Sequence, residues 1–147
     1  MNNRVFDYLK LHSYGDRENF VLKYGVCCKA QELPKRYRRG AMRACFKNAA
    51  LMSKRHDLIY VEGFASANKG HSPTLHAWCI DKCGSVYDRT WSFTGLNSYF
   101  GIPIKQSYLK KMYEATGAYG VLDQWEIGYP ILTENPEFFI CRNALMA

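Results

Sequence analysis

Three side chains in this sequence have the types and the order that thiol chemistry needs. Cys45 lies in Arg43-Ala44-Cys45-Phe46-Lys47-Asn48-Ala49, His76 in Thr74-Leu75-His76-Ala77-Trp78, and Asp88 in Tyr87-Asp88-Arg89-Thr90-Trp91. A thiol nucleophile needs a base to take its proton, and the base needs a third group that fixes its tautomer. Cys45 as nucleophile, His76 as base and Asp88 as orienter fill those roles for attack on an amide or ester carbonyl. The competing reading takes each residue singly: a cysteine among Ala and Met is commonly a packing residue, and a strand histidine is commonly structural.

The elements that must position the three are legible to different degrees. From Gly40 to Arg55, Ala41, Met42, Ala44, Cys45, Ala49, Leu51 and Met52 sit among helix formers with no proline, so a helix is expected with Cys45 in its early turns. The positive end of a helix dipole favours a thiolate there. Residues 58–65, 74–80 and 85–91 read as strands, separated by a Gly/Ser/Pro/Asn-bearing loop at 66–73 and by the turn Asp81-Lys82-Cys83-Gly84. A helix is expected over 4–11 and another over 106–116, with a closing helix after Pro136. Residues 18–25 read equally as strand or helix. Tyr99-Phe100-Gly101-Ile102-Pro103-Ile104 reads as an ordinary turn-and-core segment, the alternative being one that borders the substrate cleft. No repeat, low-complexity tract or linker divides the chain, so residues 1–147 are expected to form one α+β domain, a helix cluster packed on a small antiparallel sheet.

The turn supplies a geometric condition. If Lys82, Cys83 and Gly84 form a three-residue loop, Asp81 pairs with Ser85, His76 faces Thr90 and Asp88 faces Trp78. His76 and Asp88 then share one sheet face as diagonal neighbours. A loop one residue longer or shorter would put them on opposite faces.

The helix around Cys45, the strand His76-Ala77-Trp78 and the run Asp88-Arg89-Thr90-Trp91 together resemble the core of the transglutaminase-like branch of papain-fold thiol enzymes. The resemblance covers about residues 40–95, and Arg89 stands where that pattern has a proline. It implies a papain-like α+β fold and acyl transfer through a thioester, of protease, deamidase, amidase or transglutaminase type, on a protein, peptide or small amide. No cofactor is implied. Three groups compete as oxyanion donor: Gln31, Asn48 and a backbone N–H near Cys45. Trp78, Trp91 and Tyr99 are the candidates to line the substrate cleft.

Zinc is the rival chemistry, through His76, Cys79 and Cys83 with Cys27, Cys28 or His71 as a fourth ligand. Strand alternation turns Cys79 away from His76, however, and no Cys-x2-Cys pair exists, so no metal site is expected. Phosphate-binding glycine loops are absent. Asp123 and Glu126, beside Trp125, have no partner visible in the sequence.

The formal net charge is +7, and much of the excess sits in Lys35, Arg36, Arg38, Arg39, Arg43 and Lys47. This patch is either a solvated helix face or a grip for an anionic partner. The alternative to an enzyme is therefore an inactive binding or inhibitor module whose basic face holds nucleic acid or an acidic protein. No run of 18 apolar residues occurs, and the first residues lack the apolar stretch of a signal peptide. An intracellular, cytoplasmic protein is expected, with no membrane partner and with its six cysteines as thiols rather than a disulfide framework.

Overall fold

Residues 59–66 run Ile-Tyr-Val-Glu-Gly-Phe-Ala-Ser, a β-rich stretch that forms the central strand of the molecule. The structure is a computed structural model and describes residues 2–12 and 15–142. Five strands, β1 (Val26–Cys28), β2 (Ile59–Ser66), β3 (Thr74–Ile80), β4 (Val86–Tyr87) and β5 (Ser98–Ile104), form one antiparallel sheet in the order β1-β5-β2-β3-β4. The sheet is curled until its edges meet. The Lys29 N–H donates to the Gly84 carbonyl at 2.8 Å, and the Val86 N–H donates to the Lys29 carbonyl at 2.9 Å.

Because side chains alternate along a strand, the curl creates two apolar layers. Tyr60, Phe64, Ala77, Cys79, Phe100, Ile102 and Ile104 face outward and are buried with side chains from the helices. Those helices are α1 (Arg4–His12), α2 (Asp16–Tyr24), α3 (Cys45–His56), α4 (Gln106–Thr116) and the short α5 (Pro136–Phe139). Val61, Ala65, Trp78, Ile80, Val86 and Tyr99 fill the inside of the curl. None of the described helices is long and apolar enough to cross a membrane.

Two glycines make the curl feasible. Gly63 pairs with Gly101 on one side and with His76 on the other. A Cβ on Gly63 would stand 2.4 Å from the Gly101 Cα and 2.4 Å from the Phe100 carbonyl oxygen, both backbone atoms that cannot step aside. Gly63→Ala is expected to destabilise the fold by roughly 1–3 kcal/mol or more. A urea midpoint equal to that of the parent protein would refute this.

Several expectations from sequence are revised. The ambiguous stretch at 18–25 is helical, as most of α2. The segment 99–104 is not a turn but strand β5. The strand expected over 85–91 stops at Tyr87, because the Asp88 carboxylate accepts the Thr90 and Trp91 N–H groups and turns the chain out of the ladder. The helix expected from Gly40 begins at Cys45. Ahead of it, Arg43 takes the left-handed conformation (φ 64°), incompatible with a helical turn. The basic residues 35–39 lie in a turn rather than on a helix face.

Candidate active site

The register of the β3–β4 hairpin decides which side chains meet. Cys79 pairs with Tyr87 and Ile80 with Val86, so the loop contains the three residues Lys82, Cys83 and Gly84. Gly84 takes φ 81° at its end, the left-handed position that suits glycine. The Asp81 carboxylate locks the turn by accepting the Cys83 and Ser85 N–H groups at 2.9 and 3.0 Å. With that register, Asp88 emerges from β4 on the same face as His76.

The two side chains meet. His76 Nε2 lies 2.8 Å from Asp88 Oδ2, with His76 1% and Asp88 5% exposed. Asp88 is saturated with donors. Its Oδ2 also accepts the Tyr99 hydroxyl at 2.8 Å, and its Oδ1 accepts the Thr90 and Trp91 N–H groups at 2.8 and 3.1 Å. The imidazole stacks on Trp91, ring centroids 3.9 Å apart and planes 19° apart. The thiol of Cys45 lies near enough to the imidazole to raise its pKa. Since Nε2 is committed to Asp88, Nδ1 is the nitrogen left for that thiol.

Electrostatics follows from these contacts. Burial alone would push the Asp88 carboxyl up, but the hydrogen bond and charge of His76, with the Trp91 and Thr90 N–H groups, outweigh it and hold Asp88 below the usual carboxylate value. Burial likewise pulls the imidazole down, yet the hydrogen bond and charge of Asp88, with the nearby Cys45 thiol, raise His76 above its ordinary value. A raised histidine stabilises the fold fully below its unfolded pKa, and that contribution is lost as pH rises through the folded value. A depressed aspartate stabilises above its unfolded pKa, and the contribution is lost as pH falls through the folded value. Maximal stability from the pair is therefore expected between about pH 4 and about pH 6.5, with erosion on either side. Melting temperature against pH measures this. A profile unchanged in His76→Gln would show that the pair does not set it.

Cys45 is half-buried at the first position of α3. The preceding residue, Ala44, offers no side-chain cap to the helix, so the opening N–H groups around Cys45 are not answered by a capping side chain. Asn48 is not an oxyanion donor. Its amide nitrogen donates to the Ala41 carbonyl and to Thr90 Oγ1, both at 2.9 Å, which uses both of its hydrogens. It instead ties the loop before Cys45 to the stretch after Asp88. Gln31 is half-buried two residues beyond the Lys29–Ser85 bridge.

Of the cleft candidates, Trp78 and Tyr99 are buried within the curl, at 1% and 2% exposure, and cannot line an open cleft. Tyr99 acts on Asp88 and Trp78 lies beside the Cys28 thiol. Only Trp91 is partly exposed. Cys79 points outward and donates to the Ala49 carbonyl at 3.2 Å, on the face opposite His76. Among the described residues, no three His, Cys, Asp or Glu side chains gather as metal ligands do.

The buried network around Glu62 escaped the sequence reading. Its carboxylate, 0% exposed, accepts the Tyr60 hydroxyl at 2.6 Å, the Val121 N–H at 2.9 Å and the Leu122 N–H at 2.8 Å. The signal was present: Glu62 is the one charged residue in β2. It floors a cavity of about 440 Å³ that Phe46, Tyr119, Asp123 and Trp125 help to line. Asp123 pairs with Arg17 at 2.7 Å.

Comparison with protein-family models, with curated proteins and with solved structures finds no match to this chain.

Proposed function

We propose that the chain is a cysteine-dependent acyl-transfer enzyme, of protease, deamidase, amidase or transglutaminase type, with a papain-like (transglutaminase-like) core. The observation that carries this reading is the buried His76 imidazole, held by Asp88 through Nε2 at 2.8 Å, with the Cys45 thiol near enough to shift its titration. A merely structural histidine does not need both a donor-saturated carboxylate on Nε2 and a helix-terminal thiol nearby.

In the reaction, the Cys45 Sγ proton passes to His76 Nδ1 and the sulfur attacks the carbonyl carbon of an amide or ester. The oxyanion draws on the backbone N–H groups at the start of α3, where no side chain caps the helix. His76 then gives its proton to the leaving nitrogen or oxygen as that bond breaks, leaving a thioester on Cys45. Water or an amine attacks the thioester, His76 takes the attacker's proton, and sulfur departs with the acyl product released. Asp88 keeps Nε2–H donated throughout and stabilises the imidazolium, while Tyr99 and the Thr90 and Trp91 N–H groups keep Asp88 ionised.

The six thiols provide the test. Burial raises Cys79, raises Cys28 to about 12 and raises Cys27 less far, so these three should be poor nucleophiles. Exposed Cys83 is the internal reference. With iodoacetamide at neutral pH and site-by-site mass spectrometry, Cys45 should react well ahead of Cys83. Cys45→Ala should abolish turnover of an amide substrate without loss of fold. A Cys45 no faster than Cys83 would end the enzyme reading, and the basic binding module would take its place.

A further inference from the structure

We infer that the acyl donor delivered to Cys45 is a segment of acidic polypeptide, guided by the basic chain that leads into α3. The inference rests on the reading of Cys45 as the nucleophile. Lys35, Arg36, Arg38, Arg39, Arg43 and Lys47 are all exposed, and none of them forms an ion pair among the described residues. Residues 33–56 contain no Asp or Glu, so no carboxylate on this stretch neutralises them. Arg43 and Lys47 stand two residues either side of the thiol.

These cations are not on a loose tail. The Tyr37 ring packs edge-on against Tyr87 and His56, with centroids 5.5 and 5.0 Å away. The Gly40 N–H donates to the Arg89 carbonyl at 2.8 Å, the Arg89 guanidinium donates back to the Arg38 carbonyl, and Asn48 holds the Ala41 carbonyl. The segment is thus stitched to the residues that follow Asp88. The backbone that carries these charges is therefore held in place beside the residues that follow Asp88, as focusing an anionic ligand onto a reacting atom requires.

Polypeptide is favoured over nucleic acid on two counts. Thioester chemistry consumes an amide or ester carbonyl, which a polypeptide presents at every residue and in Gln or Asn side chains. Single-stranded nucleic acid is gripped by cations together with free aromatic faces. Here the one aromatic in the basic turn, Tyr37, is committed: Arg36 lies over its ring at 4.7 Å and two other rings abut its edges. The apolar side chain on offer is instead Met42, 77% exposed beside Arg43, suited to an aliphatic residue of a peptide.

The experiment compares two alkylating agents of similar size at Cys45, negatively charged iodoacetate and neutral iodoacetamide. In the wild type, the iodoacetate-to-iodoacetamide rate ratio should fall roughly ten-fold from low to high salt. In a variant with Arg39→Gln, Arg43→Gln and Lys47→Gln, the low-salt ratio should fall by a similar factor while the iodoacetamide rate persists. The same charge removed at Lys10, Lys23 and Lys110 should leave the ratio in place. A glutamate-rich peptide should also protect Cys45 from iodoacetamide at low salt, and a single-stranded oligonucleotide should not do so better. A ratio indifferent to salt and to the triple variant overturns the inference, as does protection by the oligonucleotide alone or by neither polymer. Inertness of Cys45 to both reagents is a different failure, because it removes the nucleophile and the enzyme reading with it.

Discussion

His76→Gln is expected to slow alkylation of Cys45 at neutral pH by roughly 10²-fold or more, the scale of a lost general base. The glutamine amide can still donate to Asp88, so the buried carboxylate keeps a partner and the fold is retained. The nitrogen proposed to take the thiol proton is lost. His76→Ala would test the same step but leaves Asp88 buried without its 2.8 Å partner, and its loss of reactivity would be mixed with loss of stability. Asp88→Asn should fall between wild type and His76→Gln. The amide keeps the size of the side chain but turns one acceptor into a donor, against a site where four hydrogen bonds point at the carboxylate. Rates at the exposed Cys83 should be the same in all variants. If His76→Gln leaves Cys45 as reactive as before, the imidazole does not act on the thiol and the triad reading fails.

The hairpin that pairs His76 with Asp88 was legible from sequence because its register depends on few residues. Asp81 and Gly84 fix a three-residue turn, and alternation does the rest over short strands. Strand β5 was not legible, since Gly101 and Pro103 are poor strand formers by local preference. Each is tolerated for a tertiary reason. Gly101 lets the Trp78 ring and strand β2 approach closely. Pro103 lies beyond the last residue paired with β1, and its carbonyl points to the Cys141 N–H rather than to β2, so its missing N–H breaks no ladder bond. The start of α3 was hidden for a similar cause. Nothing in Gly40-Ala41-Met42-Arg43-Ala44 forbids a helix; what ends it is Arg43 in a left-handed conformation within a loop that Asn48 and Arg89 hold. Those tertiary bonds also remove Asn48 from the oxyanion candidates: it is near the thiol in sequence, but its amide is spent on the scaffold. The supporting role of Tyr99 needed the curl, which brings β5 under the end of β4, and no local pattern announces that.

Glu62→Ala is expected to cost about 3 kcal/mol or more, because it strands the Tyr60 hydroxyl and the Val121 and Leu122 N–H groups in a buried site, each unmade bond costing about 1–3 kcal/mol. Glu62→Gln separates charge from shape. Its carbonyl can accept from one side, but its NH2 group would face backbone donors that now meet hydrogen where they met oxygen. A loss close to that of Glu62→Ala is therefore expected, and urea denaturation of both variants measures it. The site of damage should be local to the loop after α4, since Glu62 joins the central strand to residues 59 and 60 positions away in sequence. Amide exchange at Val121 and Leu122 should accelerate before that of Val61 or Trp78. Phe46, next to Cys45 and against Gly120, would lose its support, so a modest fall in Cys45 alkylation should accompany the loss of stability. If Glu62→Gln is as stable as wild type, the carboxylate charge is not what secures the loop, and the three donors must find acceptance from a neutral oxygen alone.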